Sequence, residues 1–228
     1  MRNEEISGNI KELLEVEKFP FLLAGLEKIV QENFVKRLDD YGKVKNMLLL
    51  RLVAKPCPEG ISAPYMDLYM EVYVQVRDIV VTVKENYLTQ WGKSKEEVLS
   101  QAKQNTEKLP VFCQNITRIL FGNWEDLFEP LPMSALKYNI PVYGASILMN
   151  TEVLAEIRKD MERDFYICPS SVHEVLIAIP KEGETEEACQ FSLKKAIKEV
   201  NQEQLSEEEK LSDNLYKYCG DKKEVIIC

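Results

Sequence analysis

The sequence predicts an α+β fold: a largely antiparallel or mixed sheet built from hairpins, with helices packed on it and a helical hairpin at the N-terminus. Three observations carry this. Apolar and polar residues alternate with a period of two from Tyr65 to Val76, the mark of a half-buried strand. Strand-like runs come in neighbouring pairs separated by short polar breaks, as hairpins do. Helical stretches with recognisable caps lie between those pairs, a grouping that suits α+β architecture.

At the N-terminus, Ile6, Ile10, Leu13 and Leu14 recur at helical spacing until Phe19-Pro20 interrupts them. A second helical pattern runs through Leu22, Leu26, Ile29, Val30 and Phe34 and closes near Tyr41-Gly42. Residues 1–42 are therefore expected to form a helical hairpin and residues 43–228 an α+β domain, with a boundary between two sub-halves near 122–133.

Met47 to Val53 is a nearly continuous apolar run of strand length, and Pro56-Cys57-Pro58-Glu59-Gly60 is a surface turn. The alternating strand Tyr65–Val76 follows, then the break Arg77-Asp78 and a partner strand Ile79–Val83. A short helical turn ends at Gly92, and Ser94 with Glu97 forms a capping box at the head of the next helix. Pro110 is placed at the first turn of a helix running through Phe112, Ile116, Ile119 and Leu120. Gly122 to Pro132 reads as a loop whose Trp124, Leu127 and Phe128 pin it to the core or offer a contact surface.

Met133–Tyr138 and Tyr143–Met149 read as a hairpin around Asn139-Ile140-Pro141. Asn150 or Thr151 caps a helix with Val153, Leu154, Ile157 and Met161 inward. Two apolar strands lie within Asp164–Pro180, and Thr185 caps a helix with acids in its first turn and lysines late, as the helix dipole favours. Gln202–Asp213 reads as a solvated acidic linker before a closing hairpin of Leu215–Tyr218 and Glu224–Ile227. The strand–cap–helix order of Ile79–Ala102 and Tyr143–Met161 suggests a duplication, which convergent strand-to-helix chemistry explains equally well.

Composition narrows the function classes. The 45% hydrophobic and 29% charged residues suit a soluble globular chain. No apolar run approaches the roughly 20 residues that span a bilayer, and the charged start has no signal-peptide pattern, so the expectation is cytoplasmic with no membrane. A net charge of −9 with interleaved lysines and acids argues against nucleic-acid binding. It also permits an acidic decoy that captures a DNA-binding protein. The six cysteines form no C-x-x-C pair and the single histidine has no H-E-x-x-H partner, so no metal site is expected. The nine glycines form no phosphate-binding signature, and no cofactor is expected.

Candidate chemistry concentrates at Cys168-Pro169-Ser170-Ser171-Val172-His173-Glu174, which holds the only histidine. A hydrolase-like reading uses Ser170, Ser171 or Cys168 as nucleophile with His173 as base. Against it, no G-x-S-x-G elbow is present and no glycine stands near the serines. On a strand running from Val172, His173 and Glu174 leave opposite faces and cannot form a dyad. The alternative is structural: Pro169 fixes the corner, serine hydroxyls satisfy turn amides, and His173 makes a local hydrogen bond. Tyr65, Tyr69 and Tyr73 lie on one face of the alternating strand and, with Trp124, are candidate binding residues or cross-strand packing.

The order of these signals from about Val44 onward, above all Pro169-Ser170-Ser171-Val172-His173-Glu174-Val175 and Leu211-Ser212-Asp213-Asn214-Leu215-Tyr216, resembles an uncharacterised bacterial family, a domain of unknown function of gut anaerobes. The resemblance covers roughly the last four-fifths of the chain and leaves the start to Tyr41 less matched. It implies a soluble bacterial protein and no particular activity. The expectation is therefore a non-enzymatic interaction or regulatory module with a protein partner. Nothing in the sequence fixes an oligomeric state.

Overall fold

The computed structural model describes residues 36–76, 79–122 and 132–228. The predicted helices of residues 4–34, the break Arg77-Asp78 and Trp124 lie outside the described residues. The chain divides into two compact units, Met1–Val44 and Lys45–Cys228. Of the first, the described part holds helical residues at 36–38 and a helical turn, Tyr41–Val44. The second unit is α+β with antiparallel sheets.

Its first sheet is built on β3 (Leu68–Val76). β1 (Leu48–Val53) pairs along one edge of β3, with Leu50 opposite Val72. The other edge is shared. β2 (Ser62–Tyr65) covers its first half and β4 (Ile79–Thr82) its second, and both pair antiparallel. Leu48, Leu50 and Leu52 are buried, whereas Leu49, Arg51 and Val53 face the other way and are half-buried.

β1 is an edge strand, and exposed edges pair with whatever is available. Helix α2 (Lys95–Thr106) blunts this edge with side chains. The Leu50 N–H donates to Thr106 Oγ1 at 2.8 Å, and Asn105 Nδ2 donates to the carbonyls of Lys45 and Leu48. The preceding helix α1 (Asn86–Trp91) stops at Gly92 in the left-handed region. α2 then opens with the expected reciprocal capping box between Ser94 and Glu97.

The second sheet has six antiparallel strands in the order β10-β9-β7-β8-β6-β5. β5 is Val111–Asn115, β6 Met133–Tyr138, β7 Phe165–Pro169, β8 Val175–Ala178, β9 Tyr216–Cys219 and β10 Glu224–Ile227. β5 and β6 flank the 122–133 stretch and pair with each other. A short helix α3 (Ile116–Phe121) follows β5. Helix α4 (Thr151–Met161) starts on the Asn150 side chain, which accepts the Val153 N–H. Helix α5 (Glu186–Glu203) starts on Thr185. Tyr166, Cys168, Ala178, Cys189, Ile197 and Leu215 form the core between α5 and the sheet.

Four expectations are corrected. The alternating strand is found at Leu68–Val76 but does not begin at Tyr65, which ends β2 before a two-residue turn in which Met66 is left-handed at φ 53°. A two-residue turn preserves the parity of an alternating pattern, and that hid the break. Pro110 leads into strand β5 rather than a helix. Its missing N–H costs nothing at a sheet edge, while its carbonyl accepts the Asn139 N–H at 2.7 Å.

Tyr143–Met149 is not a strand: Gly144–Met149 is a 3-10 helix with all six residues buried. Burial of every side chain erases the periodicity from which element type is read. The likeness between Ile79–Ala102 and Tyr143–Met161 therefore does not extend to their secondary structure. Gln202–Asp213 is not wholly solvated either, since Leu211 and Ser212 are buried and α5 reaches Glu203.

The first sheet and its β2–β3 turn make polar contacts with the segments Tyr143–Leu148 and Ser212–Tyr216. The Tyr65 hydroxyl donates to the Leu148 carbonyl at 3.0 Å. Asp67, in the β2–β3 turn, accepts from Ser212 Oγ at 2.6 Å, Asn214 Nδ2 at 2.9 Å and Tyr216 Oη at 2.8 Å. Arg51 of β1 lies over the Tyr143 ring, 4.6 Å from its centroid. The Leu211–Tyr216 segment is thus a clamp, and Asn201 of α5 steadies it by donating to the Ser212 carbonyl and to Asp213.

Candidate functional site

The Pro-Ser-Ser corner is the tip of the β7–β8 hairpin. The ladder ends at the Pro169–Val175 pair, so His173 and Glu174 precede β8 and lie in the turn, not on opposite faces of a strand as expected. The turn is tied internally. The Ser171 N–H donates to the Glu174 carbonyl at 3.2 Å, and the His173 N–H donates to Ser171 Oγ at 3.0 Å. Serine hydroxyls hold turns in this way.

The imidazole is bonded to a distant backbone group. His173 Nδ1 accepts the backbone N–H of Tyr143 at 3.2 Å. Alongside, the Ala145 N–H donates to the Val172 carbonyl at 3.3 Å. Gly144 between them lets the two backbones meet: a Cβ there would stand 2.5 Å from the His173 carbonyl oxygen and 2.8 Å from that of Tyr138. Among the described residues, no hydrogen bond joins the imidazole to Cys168, Ser170 or Ser171. Cys168 is buried with Cys189 and Cys228 near it, and burial pushes its thiol up to about 12. Such a thiol is not a thiolate at neutral pH.

The hairpin tip thus positions Tyr143. This residue is itself left-handed at φ 61°, and its ring is near the His173 ring, at 6.1 Å between centroids, and under the Arg51 guanidinium. Tyr73 packs edge-on against it at 5.3 Å. Behind the guanidinium, the buried Glu71 carboxylate accepts from Arg51 Nε at 2.8 Å and also from Nη2, which donates as well to Thr82 Oγ1 at 2.7 Å. The other Glu71 oxygen accepts the Cys57 N–H at 2.6 Å. Charge-assisted bonds of this kind fix the plane of a guanidinium.

A groove of about 460 Å³ opens on this cluster, with Arg51, Val53, Tyr143 and Val172 as its floor. Lys55, Glu207, Glu208 and Lys210 stand around its rim, and Lys210 pairs with Glu207. A smaller apolar cleft of about 60 Å³ lies under α5, between Met133, Cys168, Leu176 and Leu193.

The tyrosines singled out in the sequence go to different places. Tyr65 ends β2 and bonds Leu148; burial pushes its hydroxyl up to about 12. Tyr69 is half-buried on β3 opposite Pro64. Tyr73 is fully buried beside Arg51. Arg51, Glu71 and Tyr143 are not among the candidates the sequence offers. A lone arginine inside the run Leu48–Val53 was the one available signal, since a charge in a strand covered on its apolar face needs a partner.

A family model described as a family of unknown function (DUF5688) matches residues 9–220. The chain belongs to that family. The matched span contains both segments that carried the resemblance, and it extends further toward the N-terminus than the resemblance did. No curated protein and no solved structure matches the chain. Among the described residues of this DUF5688 member, no helix is long and apolar enough to cross a membrane, and no three His, Cys, Asp or Glu side chains converge as a metal site requires.

Proposed function

We propose that this chain is a non-enzymatic interaction or regulatory module of the bacterial cytoplasm, and that the groove over Arg51 and Tyr143 is its contact surface. One observation carries the reading: the only histidine of the chain accepts the Tyr143 backbone N–H on its Nδ1. The same hairpin tip that would supply a nucleophile and base instead holds the groove floor. Its Ser171 Oγ accepts the His173 backbone N–H as part of the turn. With a net charge of −9, the module is expected to engage a protein or small molecule rather than nucleic acid.

The test is active-site labelling. The folded protein is treated with a fluorophosphonate and assayed against p-nitrophenyl esters, beside His173→Ala. The expected result is no serine adduct and no turnover above buffer in either protein. Labelling of Ser170 or Ser171 that disappears in His173→Ala supports the hydrolase instead.

A further inference from the structure

We infer that the Arg51 groove binds a small organic acid, its oxyanion against Arg51 and Lys55 and its apolar body against Val53, Tyr143 and Val172. The inference rests on the reading of the groove as a contact surface and adds the chemistry of what enters it.

The floor offers donors. Arg51 Nε and Nη2 are taken by Glu71 and Thr82, whereas Nη1 makes no hydrogen bond to a described residue. Arg51 is only 13% exposed and is held between its carboxylate and the Tyr143 ring, so this donor is fixed in place before any ligand arrives. Preorganised donors spare a ligand the entropic cost of ordering them. Lys55 lines the same groove in no ion pair or hydrogen bond among the described residues, although its charge reaches Glu207.

An acceptor is therefore required at the floor, and an ionised one makes the stronger bond to a guanidinium. A cation there would face Arg51 directly. The rim is balanced, Lys55 and Lys210 against Glu207 and Glu208, and Glu71 offsets Arg51 from behind. Long-range attraction of anions is consequently absent, and selectivity must come from these contacts together with the apolar walls. An oxyanion with an apolar body uses both; a bare inorganic anion uses only one.

The test is a titration of the folded full chain, followed by backbone amide shifts, with benzoate, inorganic phosphate and benzylamine as probes. Benzoate is expected to shift the amides of residues 51–55, 143 and 172 and to saturate at least threefold more tightly than phosphate. Benzylamine is expected to leave them unmoved. Lys55→Glu, a change at an exposed side chain, weakens benzoate at least tenfold, while the distant Lys198→Glu leaves it unchanged. The inference is overturned if benzoate leaves those amides unmoved, if phosphate binds as tightly, if benzylamine shifts the same amides, or if Lys55→Glu binds like the parent. Such a failure leaves the serine-labelling result untouched, so loss of the ligand and loss of the non-enzymatic reading are told apart.

Discussion

The Tyr216 hydroxyl donates to Asp67 Oδ1 at 2.8 Å, joining residues 149 apart in sequence and tying the β2–β3 turn to the second sheet. Ser212 and Asn214 complete the clamp on the other carboxylate oxygen. Partial burial raises the carboxyl of Asp67, but the hydrogen bonds from Ser212, Tyr216 and Asn214 together outweigh it and hold the group below its ordinary 3.8. A depressed folded value means that the stabilisation is present above 3.8 and is lost as pH falls through the folded value. Asp67→Asn is expected to cost about 0.5–1 kcal/mol at pH 7, because the exposed carboxylate is screened by water, with the difference in thermal midpoint closing as the pH drops below about 3.8. Melting curves of both proteins from pH 7 to pH 3 check this.

The Arg51–Glu71 pair presents the opposite case, a buried ion pair whose partners are costly to separate. Glu71→Gln leaves a guanidinium in a nearly dry site and releases the Cys57 N–H from its carboxylate partner. About 3–5 kcal/mol of stability should be lost. Arg51→Met combined with Glu71→Leu should recover most of that, because neither charge is then stranded. Urea denaturation of the single and double variants measures the difference.

Tyr73 carries a hydroxyl with no hydrogen-bond partner among the described residues, although the side chain is fully buried. Removing an unsatisfied buried group while keeping the ring is neutral or favourable. Tyr73→Phe is expected to be as stable as the parent or about 1 kcal/mol more so, again by urea denaturation.

Thiol chemistry separates a nucleophilic Cys168 from a packed one. Burial has pushed its thiol up to about 12, so at pH 8 it is protonated as well as covered. Cys113 is exposed on β5. Iodoacetamide at pH 8 should alkylate Cys113 first, with Cys168 at least about a hundredfold slower until the chain is unfolded. Peptide mass spectrometry over the time course reads both sites.

What was legible in the sequence was whatever short-range chemistry dictates. Ser94 with Glu97, Asn150, Thr185 and the β7–β8 pair all act through neighbours a few residues away, and each is found where it was expected. The misread elements answer to distant partners. Gly144–Met149 follows the backbones of Tyr138 and His173, and β5 exists because β6 is beside it. The groove was hidden for the same reason: the β1–β3 register sets Arg51 opposite Glu71, and Tyr143 joins them from a third, distant stretch. The Pro-Ser-Ser-x-His corner stood out because it holds the lone histidine, and its geometry is that of a positioning element.

The proton position on His173 distinguishes a positioning element from a catalytic one. A nitrogen that accepts the Tyr143 N–H carries no proton, so neutral His173 must be the Nε2–H tautomer. Nitrogen NMR of the imidazole in the folded protein at pH 8 should show a protonated Nε2 and an accepting Nδ1, with the Tyr143 amide shifted in His173→Ala. A proton on Nδ1, or an imidazole nitrogen whose shift responds to Ser171→Ala but not to events at Tyr143, would contradict the account and return the hairpin tip to a catalytic role.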